Sequence, residues 1–376
     1  MGIGWLFGER RGKTTNNRLG AKMVFWISGA IVLLVLVPAA VLLGIWLVHL
    51  PSAINLCETI AALGTGTVGQ FSFESLGRYE DCEFPSFDGV TLRGTYVHRH
   101  TSQRHGVVVF CHEFGGDRRA AASYVLRLLD RGFDVFAFDF RNHGTSDRME
   151  GYMPRNWATR YEVNDVLGAI NYLRTLDDAD VAGVALLGLC RGGCAAISAA
   201  SRHNGIWAVI TDGAFESRWV TTTYIRRFMP RFVRPASLLT VVPWFLQVLY
   251  GTFVHDLVAR KLKHPCIKLK NDIRRVRQPL LMIHGARDHT IPVELAHRLW
   301  RRLRTHARLW IVPKGNHNRS IHSEPEEYQR RICRFLNRHA PRRGLLDSHN
   351  ASAASPATNG VAAKSPETRS DLPVCV

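Results

Sequence analysis

Between Val24 and Val48 the chain carries no charged residue, and from Met23 to Gly77 it has no lysine or arginine. A Cys-x-x-Cys pair is also missing, which excludes the common zinc and thioredoxin-like spacings. Eight cysteines in 376 residues are too few for a disulfide scaffold, although Cys57 and Cys82 are open to pairing in an oxidising compartment. No internal repeat is visible, so a solenoid or propeller is not indicated. Acidic residues are scarce: 31 Asp and Glu against 49 Lys and Arg give a formal charge of +18. That balance favours anionic partners such as lipid head groups or acidic substrates. The arginines are dispersed as Arg226-Arg227, Arg231, Arg274-Arg275 and Arg301-Arg302, as on solvated helix faces. With no binding module or aromatic-basic pattern, nucleic acid is not an expected partner. No ligand cluster calls for a metal, and no motif calls for a cofactor.

The charge-free stretch is built from Val, Leu, Ile, Ala and Trp. Its length of about 25 residues exceeds the about 20 needed to span a bilayer core. Trp26 and Trp46 sit near its two ends, where interfacial aromatics belong. A cleaved signal peptide is the competing reading, with Pro38-Ala39-Ala40 as its cleavage region. The apolar core of a signal peptide runs about 7–15 residues, and this one continues past those alanines, which favours an uncleaved anchor over 24–48. Arg10, Arg11, Lys13, Arg18 and Lys22 precede it. The positive-inside bias then places a basic N-terminus, 1–23, in the cytoplasm and the large domain outside.

After a connector over 49–78, residues 79–340 read as one α/β domain. The segment from Glu83 to Gly94 is a hairpin turning at Asp88-Gly89. Strands are expected at Gly106 to Cys111, Asp134 to Phe140, Val184 to Cys190, Trp207 to Thr211, Pro279 to His284 and Arg308 to Val312. Helical stretches alternate with them: Ala120 to Arg131, Ala158 to Leu176, Arg191 to Arg202, Val293 to Leu303 and Glu326 to His339. That alternation predicts a mostly parallel sheet with helices on both faces. The rhythm breaks over 216–277, where Ala236 to Val254 is uncharged and aromatic-rich. It is short and broken for a second membrane span, and an apolar lid over a pocket is the better reading. The Ala/Ser/Pro/Thr-rich tail, 341–376, is expected to be disordered.

The chemistry-bearing motif is Gly188-Leu189-Cys190-Arg191-Gly192-Gly193, between an apolar strand and a small-residue helix. Glycines two before and two after Cys190 permit a strained turn that projects the central side chain. A small buried cysteine at a tight junction is the plain alternative. Downstream stand His284-Gly285-Ala286-Arg287-Asp288 and then Lys314-Gly315-Asn316-His317. Together with the strand order, these resemble the α/β-hydrolase fold over roughly Tyr79 to Arg338. The resemblance implies Cys190 as nucleophile, Asp288 as acid and His317 as base, in the family's chain order. Asp212 is a reserve for the acid, and His112, His143 and His284 read as structural.

Cys111-His112-Glu113-Phe114-Gly115-Gly116 falls where the family builds half of its oxyanion hole. The backbone N–H of Phe114 (or of Glu113, if the turn is shifted) and that of Arg191 would hold the oxyanion. Asp139 to Ser146 resembles the family's D-x-R-G-H-G-x-S loop, with Asn142 replacing a glycine. Dienelactone hydrolases are more similar still, combining a G-x-C-x-G-G elbow with a glutamate in the facing loop. By that resemblance Glu113 would help convert the thiol to thiolate; a salt bridge to Arg118, Arg119 or Arg191 is its structural alternative. The expectation is a membrane-anchored hydrolase of a small or lipid-like ester, thioester or lactone. An acyltransferase using the same acyl-cysteine, or a non-catalytic binding protein on this fold, are the rivals.

Overall fold

The computed structural model describes residues 12–63, 72–231, 233, 242–304 and 307–341. Among these, eight strands form a single sheet: β1 (Tyr79–Pro85), β2 (Thr91–Val97), β3 (Gly106–Cys111), β4 (Phe133–Phe138), β5 (Val184–Leu189), β6 (Ile206–Asp212), β7 (Leu280–Gly285) and β8 (Ala307–Val312). Their spatial order is β1-β2-β4-β3-β5-β6-β7-β8. The β1–β2 and β2–β4 pairs are antiparallel, and all the others are parallel. The hairpin turns as expected, with Gly89 at φ +90° and Ser86 N–H donating to the Val90 carbonyl.

The helices are α1 (Gly12–Ala62), α2 (Ala122–Leu129), α3 (Arg160–Arg174), α4 (Cys190–Ala200), α5 (Ser217–Phe228), α6 (Trp244–Lys261), α7 (Leu269–Asp272), α8 (Val293–Trp300), α9 (Ser320–Ser323) and α10 (Pro325–His339). β3, β4, β5 and β7 are buried at every position, as strands covered on both faces must be. Alternate side chains serve the two cores. Val107 and Val109 face α3 and α4, while Val108 and Phe110 face α2 and α10. The mostly parallel sheet with helices on both faces is therefore the observed architecture.

Three differences from the sequence reading have physical causes. β4 stops at Phe138 because Asp139 leaves the ladder, its carboxylate accepting the backbone N–H groups of Arg118 (2.7 Å) and Thr145 (2.9 Å). β5 stops at Leu189 because Cys190 turns to φ +48°. The connector over 49–78 begins as helix: α1 continues to Ala62, and Ala53, Cys57, Ile60 and Ala61 are buried in the sheet's own core. Asn156 fixes that end, its N–H donating to the Ala61 carbonyl (2.9 Å) and its Nδ2 to that of Ile60 (2.8 Å).

By length and composition Leu43–Ala62 of α1 is the one helical stretch among the described residues able to cross a membrane. Its side chains from Met23 to Ile27 are exposed. Cys57 and Cys82 are free thiols. The 216–277 insertion carries α5, α6 and α7 and no strand among its described residues. Residues 234–241, which include 236–241 of the aromatic-rich run, lie outside the described residues. So do 1–11 of the basic N-terminus and the tail after Pro341.

Candidate active site

The turn into α4 is possible only because of its glycines. A Cβ on Gly192 would stand 2.3 Å from the Cys111 carbonyl oxygen, and one on Gly188 would stand 2.6 Å from Gly193 Cα. Both are closer than any real Cβ contact. Packed backbone to backbone, the elbow holds Cys190 at φ +48°, a left-handed conformation that is rare for a side-chain-bearing residue. Cys190 is nonetheless only 3% exposed, so its thiol lies beneath the surface rather than on it.

The ends of β7 and β8 supply what meets that thiol. His317, on the loop after β8, has Nε2 3.2 Å from Cys190 Sγ and Nδ1 2.7 Å from Asp288 Oδ2. The other oxygen of Asp288 accepts the backbone N–H groups of Thr290 (2.9 Å) and Ile291 (2.7 Å). The carboxylate is thereby held in one orientation, and the imidazole with it. Burial pulls the His317 pKa down, but the adjoining Cys190 sulfur and Asp288 carboxylate outweigh it and hold the value well above the ordinary histidine range. Burial alone pushes the Cys111 thiol up, and burial is the largest cause raising that of Cys194.

Asp212, the reserve acid, ends β6 nearby, but its Oδ1 accepts from Ser320 Oγ at 2.9 Å. Burial raises its pKa to about 7. It is Asp288 that touches His317. His284 braces the Asp288 loop from below, its Nε2 donating to the Ile291 carbonyl at 2.8 Å. His112 donates from Nδ1 to the Glu113 carbonyl (2.7 Å) and accepts at Nε2 from the Phe140 N–H (3.1 Å). Burial lowers its pKa to about 4. As a neutral, doubly bonded ring it ties the loop after β3 to the loop after β4.

Phe114 and Arg191 lie where sequence put them, one in the loop after β3 and one in the first turn of α4. The first N–H groups of a helix have no intrahelical acceptor, and the N-cap of α4, Leu189, offers no side-chain acceptor. Glu113 is buried, its carboxyl folded 3.1–3.3 Å from where a Gly116 Cβ would be. Tyr124 lies in the fields of both Asp212 and Glu113. The three arginines considered for Glu113 are engaged with other carboxylates: Arg118 with Asp139, Arg119 with Asp117 and Arg191 with Glu162.

The Arg191 side chain is the part that motif reading missed. Its guanidinium is fully buried, 5.2 Å from the centre of the Phe114 ring and 5.5 Å from that of Phe140. It donates to the Arg155 carbonyl (3.0 Å) and to His143 Nε2 (3.1 Å), with Glu162 Oε1 3.5 Å away. Glu162 is the third residue of α3 and closes a capping box with Thr159. The Thr159-x-x-Glu162 pattern was readable as a helix start; nothing local marked it as the counterion of the residue after Cys190.

A strained turn after a central parallel strand, with acid and histidine loops following it, defines the class of an α/β hydrolase fold. A profile described as the alpha/beta hydrolase family matches residues 108–331, and the chain belongs to that family. It is similar to the uncharacterized protein YfhR of Escherichia coli strain K12, 26% identical over 246 residues, covering 63% of this chain and 73% of YfhR. The uncharacterized protein YqkD of Bacillus subtilis strain 168 is 25% identical over 274 residues, covering 72% and 83% of the two chains. Among solved structures, an esterase of Pyrococcus furiosus, Pf2001, superposes with a TM-score of 0.55 at 24% identity, covering 74% of this chain and 98% of that one.

Proposed function

We propose that this chain is a membrane-anchored hydrolase that opens an ester, thioester or lactone through an acyl-Cys190 intermediate. The carrying observation is the pair of short contacts about one buried imidazole, 3.2 Å to Cys190 Sγ and 2.7 Å to Asp288 Oδ2. In this reading His317 takes the thiol proton and the thiolate adds to the carbonyl carbon. The imidazolium then returns the proton to the departing alcohol or thiol. Water, deprotonated by the same imidazole, cleaves the acyl-enzyme and restores the thiol. Asp288 keeps Nδ1 protonated and stabilises the imidazolium. The N–H groups of Phe114 and Arg191 receive the oxyanion. Glu113 assists thiolate formation, as the resemblance to dienelactone hydrolases suggests. No step calls for a metal or cofactor.

The anchor is the charge-free part of α1, 24–48, with the N-terminus cytoplasmic and the hydrolase domain outside, following the lysine and arginine bias. The insertion over 216–277 acts as the lid, and an apolar acyl group suits its aromatic character. Membrane and lipid-like substrate are thus the partners in this reading.

The test is the full-length protein in detergent with a short-chain p-nitrophenyl ester. Cys190→Ala abolishes turnover while still melting in one cooperative transition, and Cys190→Ser, which keeps a nucleophile beside His317, retains part of it. Mass spectrometry of the quenched wild type finds the acyl group on the Cys190 peptide. Full activity in Cys190→Ala, or an acyl group on another residue, overturns the assignment.

A further inference from the structure

α6 presents bulky apolar side chains outward. Trp244 is 68% exposed, Phe245 54%, Leu249 58% and Phe253 48%. The last three recur every fourth residue and so line one face of the helix. The opposite face, with Tyr250, Val254 and Val258, is buried in the domain. No charged residue occurs in α6 before Asp256, so its first three turns carry only apolar and neutral side chains.

What this face meets follows from its register against α1. Tyr250 stacks on Trp46 with ring centres 5.0 Å apart, and its hydroxyl donates to the Trp46 carbonyl across 204 positions of sequence. Further along, Lys261 Nζ pairs with Glu58 at 2.6 Å across 203 positions. A nearly constant offset means that α1 and α6 run side by side in the same direction, each rising about 1.5 Å per residue. Trp244 is therefore level with Ala40 and Phe253 with His49. The exposed face of α6 lies beside the part of α1 that ends the charge-free run.

We propose that the first three turns of α6 insert into the outer leaflet beside α1, so that the hydrolase domain is seated on the bilayer at two helices rather than hung from one. This rests on the reading of 24–48 as the anchor. A bilayer is the occupant that fits, because the exposed face is continuous with α1, whose Leu43, Leu47 and Val48 are also exposed. Cationic groups flank it: Arg226 Nε donates to Gln247 on α6 at 3.1 Å, and Arg227 is exposed beside it in sequence. Such a placement suits anionic head groups at the rim of an apolar insertion. The seat is one helix from the candidate site. α5 packs on α6, and its Tyr224 hydroxyl donates to the Thr290 carbonyl (2.9 Å) in the loop that carries Asp288. The site is accordingly supplied from the membrane, with acyl esters drawn from the leaflet.

Full-length protein is reconstituted into phosphatidylcholine–phosphatidylglycerol vesicles with or without bromine on the acyl chains, and tryptophan quenching is compared for wild type, Trp26→Phe and Trp244→Phe. Both variants lose part of the bromine-quenchable emission, Trp244→Phe chiefly with bromine placed near the head group. Loss in Trp26→Phe but not in Trp244→Phe overturns this inference and leaves the anchor standing. Loss in neither overturns the anchor and, with it, the seat. Chemical cross-linking of vesicle-bound chains into dimers through α6, with Trp244 unquenched, assigns the face to a second copy and likewise overturns it. In the same vesicles, Trp244→Ser/Phe245→Ser lowers hydrolysis of a bilayer-embedded long-chain ester at least tenfold more than it lowers hydrolysis of a soluble short-chain ester; equal loss on both substrates contradicts the seat.

Discussion

The buried guanidinium of Arg191 donates to Nε2 of His143 at 3.1 Å, while Nδ1 of that ring donates to the Arg141 carbonyl at 2.9 Å. Both ring nitrogens are thereby committed and the imidazole is neutral; burial and the Arg191 charge push its pKa down to about 2. The same guanidinium faces Glu162 and packs against Phe114. One side chain thus links the elbow, the loop after β3, the loop after β4 and the start of α3.

Arg191→Met removes the charge but keeps much of the length. It strands Glu162 in a buried site, and breaking a buried pair from one side costs on the order of 3 kcal/mol. Urea unfolding of this variant has a lower midpoint, and the unfolding free energy extrapolated to water falls by that amount. Arg191→Lys does not restore stability, because an ammonium cannot supply the planar fork shared between Arg155, His143 and the Phe114 ring. Full rescue by lysine would show that only charge matters here.

Asp288→Asn distinguishes the acid in contact from the one in reserve. The amide cannot hold His317 Nδ1 as a donor, and loss of the correct tautomer lowers kcat by roughly ten-thousand-fold in comparable triads. Asp212 feels the His317 charge, but its carboxyl accepts from Ser320, so Asp212→Asn changes kcat by less than about tenfold on the same reasoning. Steady-state kinetics with a soluble ester decide the matter. A larger loss in Asp212→Asn would reverse the two assignments.

The meeting of Cys190, Asp288 and His317 was legible because each sits at a strand end and carries its own punctuation: flanking glycines at Cys190, His284-Gly285 before Asp288, Gly315-Asn316 before His317. Strand existence was legible for a similar reason, since four consecutive apolar residues such as Val107 to Phe110 admit few other fates in an α/β chain. Contacts between distant segments left no such mark. The pairing of Arg191 with Glu162 joins helices that share no local pattern. The burial of Cys57 and Ala61 in the core could not be told from the composition of 49–78, where Pro51, Ser52, Asn55 and Glu58 interrupt the apolar residues and read as a connector. The register of α1 against α6 and the burial of Ala53 to Ala61 separate the part with exposed apolar side chains from the part facing the sheet.

Two groups make stability fall as pH rises, in different windows. Asp212 has a folded pKa raised from 3.8 to about 7 by burial. The native state therefore binds more protons than the unfolded state between those values, and stability declines across that interval. His317 is raised well above 6.5. Its contribution is complete below that value and is lost only as pH climbs through the higher folded pKa. Melting temperatures followed across pH separate the two. Asp212→Asn flattens the acid-side decline, and Cys190→Ala, which removes the strongest of the groups that raise His317, weakens the alkaline one. An unchanged alkaline slope in Cys190→Ala would mean that the sulfur does not stabilise the imidazolium.

The last prediction concerns where the folded domain begins. Ala53, Cys57, Ile60 and Ala61 are each less than 5% exposed and share the core that holds β3 and α3. Asn156 adds two hydrogen bonds to the carbonyls of Ile60 and Ala61. Deleting a buried Ile or similar side chain costs about 2–5 kcal/mol, so losing these about two and a half turns of helix removes a large part of the about 5–15 kcal/mol that holds a domain together. A chain starting at Leu50 keeps these contacts, sheds the charge-free stretch and folds. One starting at Leu63 leaves a hole beside α5 and α6 and unfolds or aggregates. Circular dichroism melts of the two truncations check it: equal cooperative transitions would show that the end of α1 is a passenger on the domain and that the fold begins at β1.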